Sequence, residues 1–130
     1  MIVLKSDQLN VEFQTLGGAL SSIKDKDDVE YLWQGDPTYW SGQAPVLFPI
    51  CGSVRNDTVL YDKEDGSQKE GKIPRHGLVR KKEFTLVEQT DNSVTFAIED
   101  DEEMYANYPY HFRLEITYTV TGKTIRTQYK

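Results

Sequence analysis

The sequence predicts an all-β protein built from antiparallel sheet, a sandwich or a barrel, and three observations carry that prediction. Apolar residues recur at every second position in several segments. Turn-forming residues separate those segments at short intervals, and helical periodicity is almost absent. Successive side chains on a strand point to opposite faces, so a period of two marks a strand with one face buried.

In LNVEFQT, Leu9, Val11 and Phe13 alternate with Asn10, Glu12 and Gln14, which predicts a half-buried strand. Gly17-Gly18 ends it, and a second short strand is expected from Ala19 to Lys24. VEYLW, residues 29–33, is a compact apolar run. The polar, glycine-bearing segment from Tyr61 to Lys72 reads as a surface loop or hairpin tip. EFTLVEQ and SVTFAIE, joined by Asp91-Asn92, predict a hairpin whose second arm sets Val94, Phe96 and Ile98 on one face. DDEEMYANY is expected to form one or two helical turns that Pro109 ends. The longest alternation runs through Tyr110, Phe112, Leu114, Ile116, Tyr118 and Val120; a turn at 121–123 then starts another through Ile125, Thr127 and Tyr129. That last pattern reaches Lys130 without a terminating turn, which suggests the front part of a longer protein.

A chain of 130 residues suits one domain with a core of its own. The net charge of −6 argues against wrapping a nucleic-acid backbone. No run approaches the roughly 18 apolar residues of a membrane-spanning helix, and MIVLKSDQLN carries no secretory pattern. Cys51 is the single cysteine, so an internal disulfide and a cysteine-cluster zinc site are both excluded. A cytoplasmic protein without nucleic-acid or membrane partners is expected.

Phosphate-loop, dinucleotide, zinc-protease and nucleophile-elbow motifs are all missing. Two histidines, His76 and His111, are far apart and show no ligand spacing, so neither a metal nor any other cofactor is expected. The parity of the last long strand turns His111 away from the apolar row, as a solvated or second-layer side chain. His76 differs. In IPRHGLVR it lies outside any alternating run, beside Gly77 and between Arg75 and Arg80. Loops held by a rigid sheet are where ligand contacts concentrate. An imidazole there suits either a ligand hydroxyl or a hydrogen bond to nearby backbone. Trp33, Tyr39, Trp40 and Phe48 crowd aromatic rings into one stretch. Trp33 and Phe48 read as core filling; Tyr39 and Trp40 fit a core or a surface that stacks on sugar C–H faces.

GGALSSI, EYLWQGDPTYW, PVLFPICGSV, IPRHGLVR and YPYHFRLEITYTV stand in an order that resembles the aldose 1-epimerase (galactose mutarotase) family, and its LacX-like branch in particular, from about Leu16 onward. The resemblance implies a galactose mutarotase-like antiparallel β-sandwich of which residues 1–130 form a single N-terminal portion. It implies an isomerase that interconverts the α and β anomers of a hexose by acid/base ring opening and closing. One group protonates the ring oxygen, and another takes the proton from the C1 hydroxyl. The family's acid–base histidine and glutamate fall beyond Lys130, so this chain alone is expected to be inactive.

His76 matches the histidine of His-Gly-x-x-Arg, which binds substrate near the ring oxygen, and is the chain's one candidate for the catalytic centre. Arg80 matches the final arginine of that element and is a further substrate-binding candidate, where it either contacts the ligand or braces the loop. Ser53 stands where an arginine often follows the glycine of Phe-Pro-x-x-Gly, so Arg55 takes the sugar-binding role, shared with Asn56. His76 and Arg55 are expected to face one polar cleft. Two other readings stay open. In a hexose-phosphate 1-epimerase, Lys72, Arg75, Arg80, Lys81 and Lys82 would meet a phosphate; otherwise these cations form a solvated surface. The second is a non-catalytic carbohydrate-binding β-sandwich. The partner expected is a small aldose, and an unpaired sheet edge invites self-association.

Overall fold

Strand alternation sets the layers. A computed structural model describes residues 1–130 as three antiparallel sheets. The first pairs β1 (Ile2–Lys5), β2 (Leu9–Gln14) and β3 (Ala19–Asp25) in the order β1-β2-β3. The second is a hairpin of β4 (Thr58–Asp62) and β5 (Gln68–Lys72). The third joins β6 (Thr85–Gln89), β7 (Ser93–Glu99), β8 (Arg113–Thr121) and β9 (Thr124–Tyr129) in sequential order. One short helix, α1 (Glu102–Asn107), links β7 to β8. No helix is long and apolar enough to cross a membrane.

The first and third sheets press their apolar faces together. Val11 and Phe13 from β2 meet Val94 and Phe96 from β7 and Ile116, Tyr118 and Val120 from β8 in one buried cluster. Phe13 lies 5.0 Å from Tyr118 and 6.3 Å from Phe96, ring centre to ring centre. Fully burying such a side chain contributes about 1.5–3 kcal/mol. The Tyr118 hydroxyl donates to the Gly18 carbonyl at 2.9 Å, satisfying a polar group inside the core. Burial pushes its pKa up, because phenolate there would be stripped of water.

β2 and β3 pair through a bulge that leaves Ser21 without a partner. Its carbonyl accepts from Gln34 Nε2 at 3.0 Å and Gln43 Nε2 at 2.8 Å, so the bulge ties down the long 26–45 loop. Glu30 ties the start of that loop, accepting from the Ser22 hydroxyl and from the Ile23 and Leu32 amides. Desolvation raises the Glu30 pKa, but those hydrogen bonds outweigh it and hold the carboxyl below its ordinary value. Asp101 caps α1 by accepting from the Met104 amide at 2.7 Å, and Met104 plugs the helix into the core.

Most predicted strands and the helix stand where expected, and 61–72 forms most of the β4–β5 hairpin. Three readings need correction. Trp33 is 42% exposed rather than core, because VEYLW forms only a single bridge between Glu30 and Lys24 and no strand. Tyr110 is 49% exposed and precedes β8; the chain after Pro109 has not yet become a strand, so residue parity there says nothing about facing. The strand β1 was not anticipated: IVLK lacks alternation, and only its pairing with β2 makes it a strand.

Candidate functional site

Two segments, 46–57 and 72–79, are zipped together by backbone hydrogen bonds around His76. The Phe48 carbonyl accepts from the Leu78 amide at 2.7 Å, the Gly52 carbonyl from the His76 amide at 2.7 Å, and the Asp57 carbonyl from the Ile73 amide at 2.9 Å. Ile73 and Val79, both fully buried, anchor the ends of the loop, so the His76 segment is suspended between two core residues. Gly77 makes the close approach possible. A side chain there would put Cβ 2.0 Å from the Phe48 oxygen, and the backbone is left-handed at φ +85°.

His76 itself adopts φ +68°. A left-handed backbone costs a non-glycine residue about 1–3 kcal/mol, so such a residue persists only where its surroundings hold it. Gly52 does so twice: its carbonyl takes the His76 amide, and its own N–H donates to Nδ1 at 2.9 Å. Accepting that bond leaves Nδ1 without a proton, so the single hydrogen of the neutral ring sits on Nε2. Arg75 Nε lies 3.2 Å from Nε2. Arg75 Nε–H is directed at Nε2 as a donor, and a neutral ring cannot accept at both nitrogens, so this contact and Nε2–H exclude each other; Arg75 is an exposed side chain that can turn away, whereas the Gly52 amide is fixed. The result is a fixed imidazole whose Nε2–H meets an acceptor only when Arg75 has turned away.

Arg55 and Asn56 lie in a 3₁₀ turn (Arg55–Asp57) between the two points, Gly52 and Asp57, that bind the His76 segment. Both are exposed, and Asn56 is left-handed at φ +56°. The structure thus brings Arg55, Asn56 and His76 into one pair of loops. His76, Arg55 and Asn56 line none of the five main cavities, so the expected shared cleft is not one of them. Arg80, half-buried, lies beyond Val79 and faces elsewhere. It lines a cavity of about 370 Å³ together with Lys72, Arg75, Lys81 and Lys82, the five cations whose solvated arrangement was one expectation.

An aromatic cluster backs the loop pair. Phe48 packs on Phe112 at 4.8 Å and on Tyr108 at 6.0 Å, and Tyr61 meets Tyr108 and Tyr110 at about 6 Å. Of the rings the sequence singled out, Trp33, Tyr39, Trp40 and Phe48, only Phe48 belongs to this cluster, and Tyr61 was missed. Trp33, Tyr39 and Trp40 are exposed, and Trp33 donates Nε1–H to the Trp40 carbonyl within its own loop. The sequence marked Gly52 only as the glycine of Phe-Pro-x-x-Gly, with nothing to show that it holds His76. His111 is exposed as expected, but it precedes β8. It stacks on Tyr105 at 4.3 Å, with Nδ1 2.8 Å from Asp100 Oδ2. The His111 hydrogen bond, reinforced by the Phe112 amide, lowers the Asp100 pKa.

Comparison with known proteins agrees with this architecture. The family model "Aldose 1-epimerase" matches residues 1–130. "Protein LacX, chromosomal" from Lactococcus lactis subsp. lactis is 58% identical over 129 residues, 99% of this chain and 43% of that protein. The plasmid LacX of the same organism is 57% identical over the same share. Among solved structures, a galactose mutarotase related enzyme from Lactobacillus acidophilus superposes with a TM-score of 0.92 at 29% identity, over 98% of this chain and 41% of that one. A galactose mutarotase-like protein from Lactobacillus casei gives 0.89 at 28% identity, over 99% and 42%. The chain spans 43% of the length of the LacX relatives. With its sandwich, its loop order and a family match over every residue, the chain belongs to the aldose 1-epimerase family.

Proposed function

We propose that this chain carries the sugar-binding part of an aldose 1-epimerase acting on a hexose in the cytoplasm, with His76 as the residue that meets the substrate ring. The observation that carries the reading is the double hold of Gly52 on His76, which leaves Nε2–H as the donor of a fixed ring once Arg75 moves aside. A ring oxygen has lone pairs and no proton, so it is the acceptor such a donor fits. Arg55 and Asn56, on the facing segment, supply donors and an acceptor for hydroxyls, and Arg80 either meets the ligand or braces the loop.

Mutarotation needs one proton delivered to the ring oxygen and one removed from the C1 hydroxyl as the C1–O bond breaks; closure on the other face reverses both transfers. His76 stabilises the ring oxygen, but its Nδ1 is occupied and cannot serve as the base. His111 is engaged with Asp100. The chain by itself is therefore expected to bind a hexose without accelerating mutarotation. The test dissolves pure α-glucose or α-galactose and follows optical rotation with and without the 1–130 chain, alongside an NMR titration of binding. Binding that His76→Asn abolishes, at an unchanged mutarotation rate, is the expected result. Acceleration lost in His76→Asn would place a complete acid–base set within these residues; no binding would remove the sugar reading.

A further inference from the structure

Two donors are aimed at one imidazole. The Gly52 amide points at Nδ1 of His76 at 2.9 Å, and Arg75 Nε–H points at Nε2 at 3.2 Å. A neutral ring carries one proton and offers one acceptor nitrogen, so the two bonds are never made together. Gly52 has little freedom to yield. Its carbonyl also takes the His76 amide, and its segment is tied on either side by the Phe48–Leu78 and Asp57–Ile73 bonds. Arg75 is exposed and takes part in none of the chain's ion pairs, so it is the side chain that moves. Charge limits where it goes. Arg75 also lines the cavity of about 370 Å³ that Lys72, Arg80, Lys81 and Lys82 share. Glu103 is the only carboxylate in that wall, and Lys82 already pairs with it at 3.2 Å. Four cations with no free carboxylate disfavour a fifth, whereas an unprotonated Nε2 accepts its N–H.

We propose that Arg75 is a latch on the substrate-facing nitrogen of His76. It occupies Nε2 in a minority of the free chains, and a hexose binds only to the rest, its ring oxygen accepting the Nε2–H that Arg75 excludes. Binding therefore expels this arginine instead of recruiting it. The apparent affinity is the intrinsic one multiplied by the open fraction. The identity of the ligand rests on the sugar reading above; the competition of Arg75 and Gly52 for the ring does not.

The test turns on a sign. A residue that contacts the sugar weakens binding when it is removed; a latch strengthens it. With Nε2–H as the major form, Arg75→Ala should tighten glucose or galactose binding by up to about twofold in an NMR titration of the 1–130 chain. Lys63→Ala, which removes the same charge from the β4–β5 loop, should leave binding unchanged, because a hexose is uncharged. Long-range proton–nitrogen NMR of the free chain adds a readout that needs no sugar. At a pH that leaves the ring neutral, Arg75→Ala should move the His76 Nε2 resonance further toward the protonated position and Nδ1 toward the unprotonated one. Arg75 is exposed, so its substitution spares the fold. Ring resonances that stay where they are in Arg75→Ala overturn the latch. So does hexose binding that is unchanged or weaker in that variant, the second result making Arg75 a ligand contact. Ring resonances that move while no variant binds hexose support the latch and remove the sugar reading alone.

Discussion

The two-sheet core and the His76 loop pair are built by different forces. The core joins Phe13, Phe96 and Tyr118 across the sheets by burying apolar surface, which is non-directional and tolerates adjustment. The loop pair has buried anchors only at its ends, and its centre is set by directional bonds of Gly52 to His76 and by one glycine contact. A net hydrogen bond contributes about 0.5–1.5 kcal/mol, so this centre is cheap to disturb energetically yet narrow in geometry. Stability resides in the first region, and chemical precision in the second.

The comparison breaks most visibly at Phe96. Phe96→Ala should cost about 3–5 kcal/mol, seen as a large fall in the urea midpoint, because the cavity opens between both sheets. Gly77→Ala is expected to cost less, about 1–3 kcal/mol, yet to misplace His76 by pushing a methyl group into the Phe48 carbonyl. Gly66 sharpens the point: it is left-handed at φ +80°, but a Cβ added there would meet nothing within 4 Å. Gly66→Ala should therefore destabilise by only about 1 kcal/mol, with the His76 resonances unmoved. Equal effects at the two glycines would contradict the claim that close approach, and not backbone conformation alone, matters at Gly77.

The smallest expected effect is the acid dependence at Asp100. Its pKa is lowered in the fold, so its contribution is present above the ordinary carboxylate value and is lost as pH falls through the lower folded value. His111→Ala should reduce the drop in unfolding free energy between neutral pH and about pH 3, while the Phe112 amide preserves part of it. An unchanged acid slope would assign the shift to that amide alone.

Alternation made the core legible: Val11, Phe13, Val94, Phe96, Ile116 and Val120 are buried as their spacing requires. It misled at Tyr110, where apolar residues keep a period of two without a strand beneath them. Trp33 misled for another reason, since large rings in a loop can pack on their neighbours without entering the core. In the candidate site, the short IPRHGLVR motif pointed to His76 because histidine before glycine, outside any alternation, needs a special backbone. Its partner Gly52 was not legible, because no local rule pairs residues that are 24 positions apart. The sequence grouped Lys72, Arg75, Arg80, Lys81 and Lys82 as either one basic pocket or a solvated surface; what spacing left out is the part of α1 that closes the cavity they line.

The central claim is that Gly52 fixes the His76 ring with Nδ1 as acceptor and Nε2–H as the donor to a sugar. Long-range proton–nitrogen NMR of the His76 ring, with and without saturating galactose or glucose, tests it most directly. The account predicts an unprotonated Nδ1 and a protonated Nε2 in the free chain, with the Nε2 resonance moving as hexose is added. A ring protonated at Nδ1 alone, or an Nε2 resonance indifferent to saturating hexose, would contradict it.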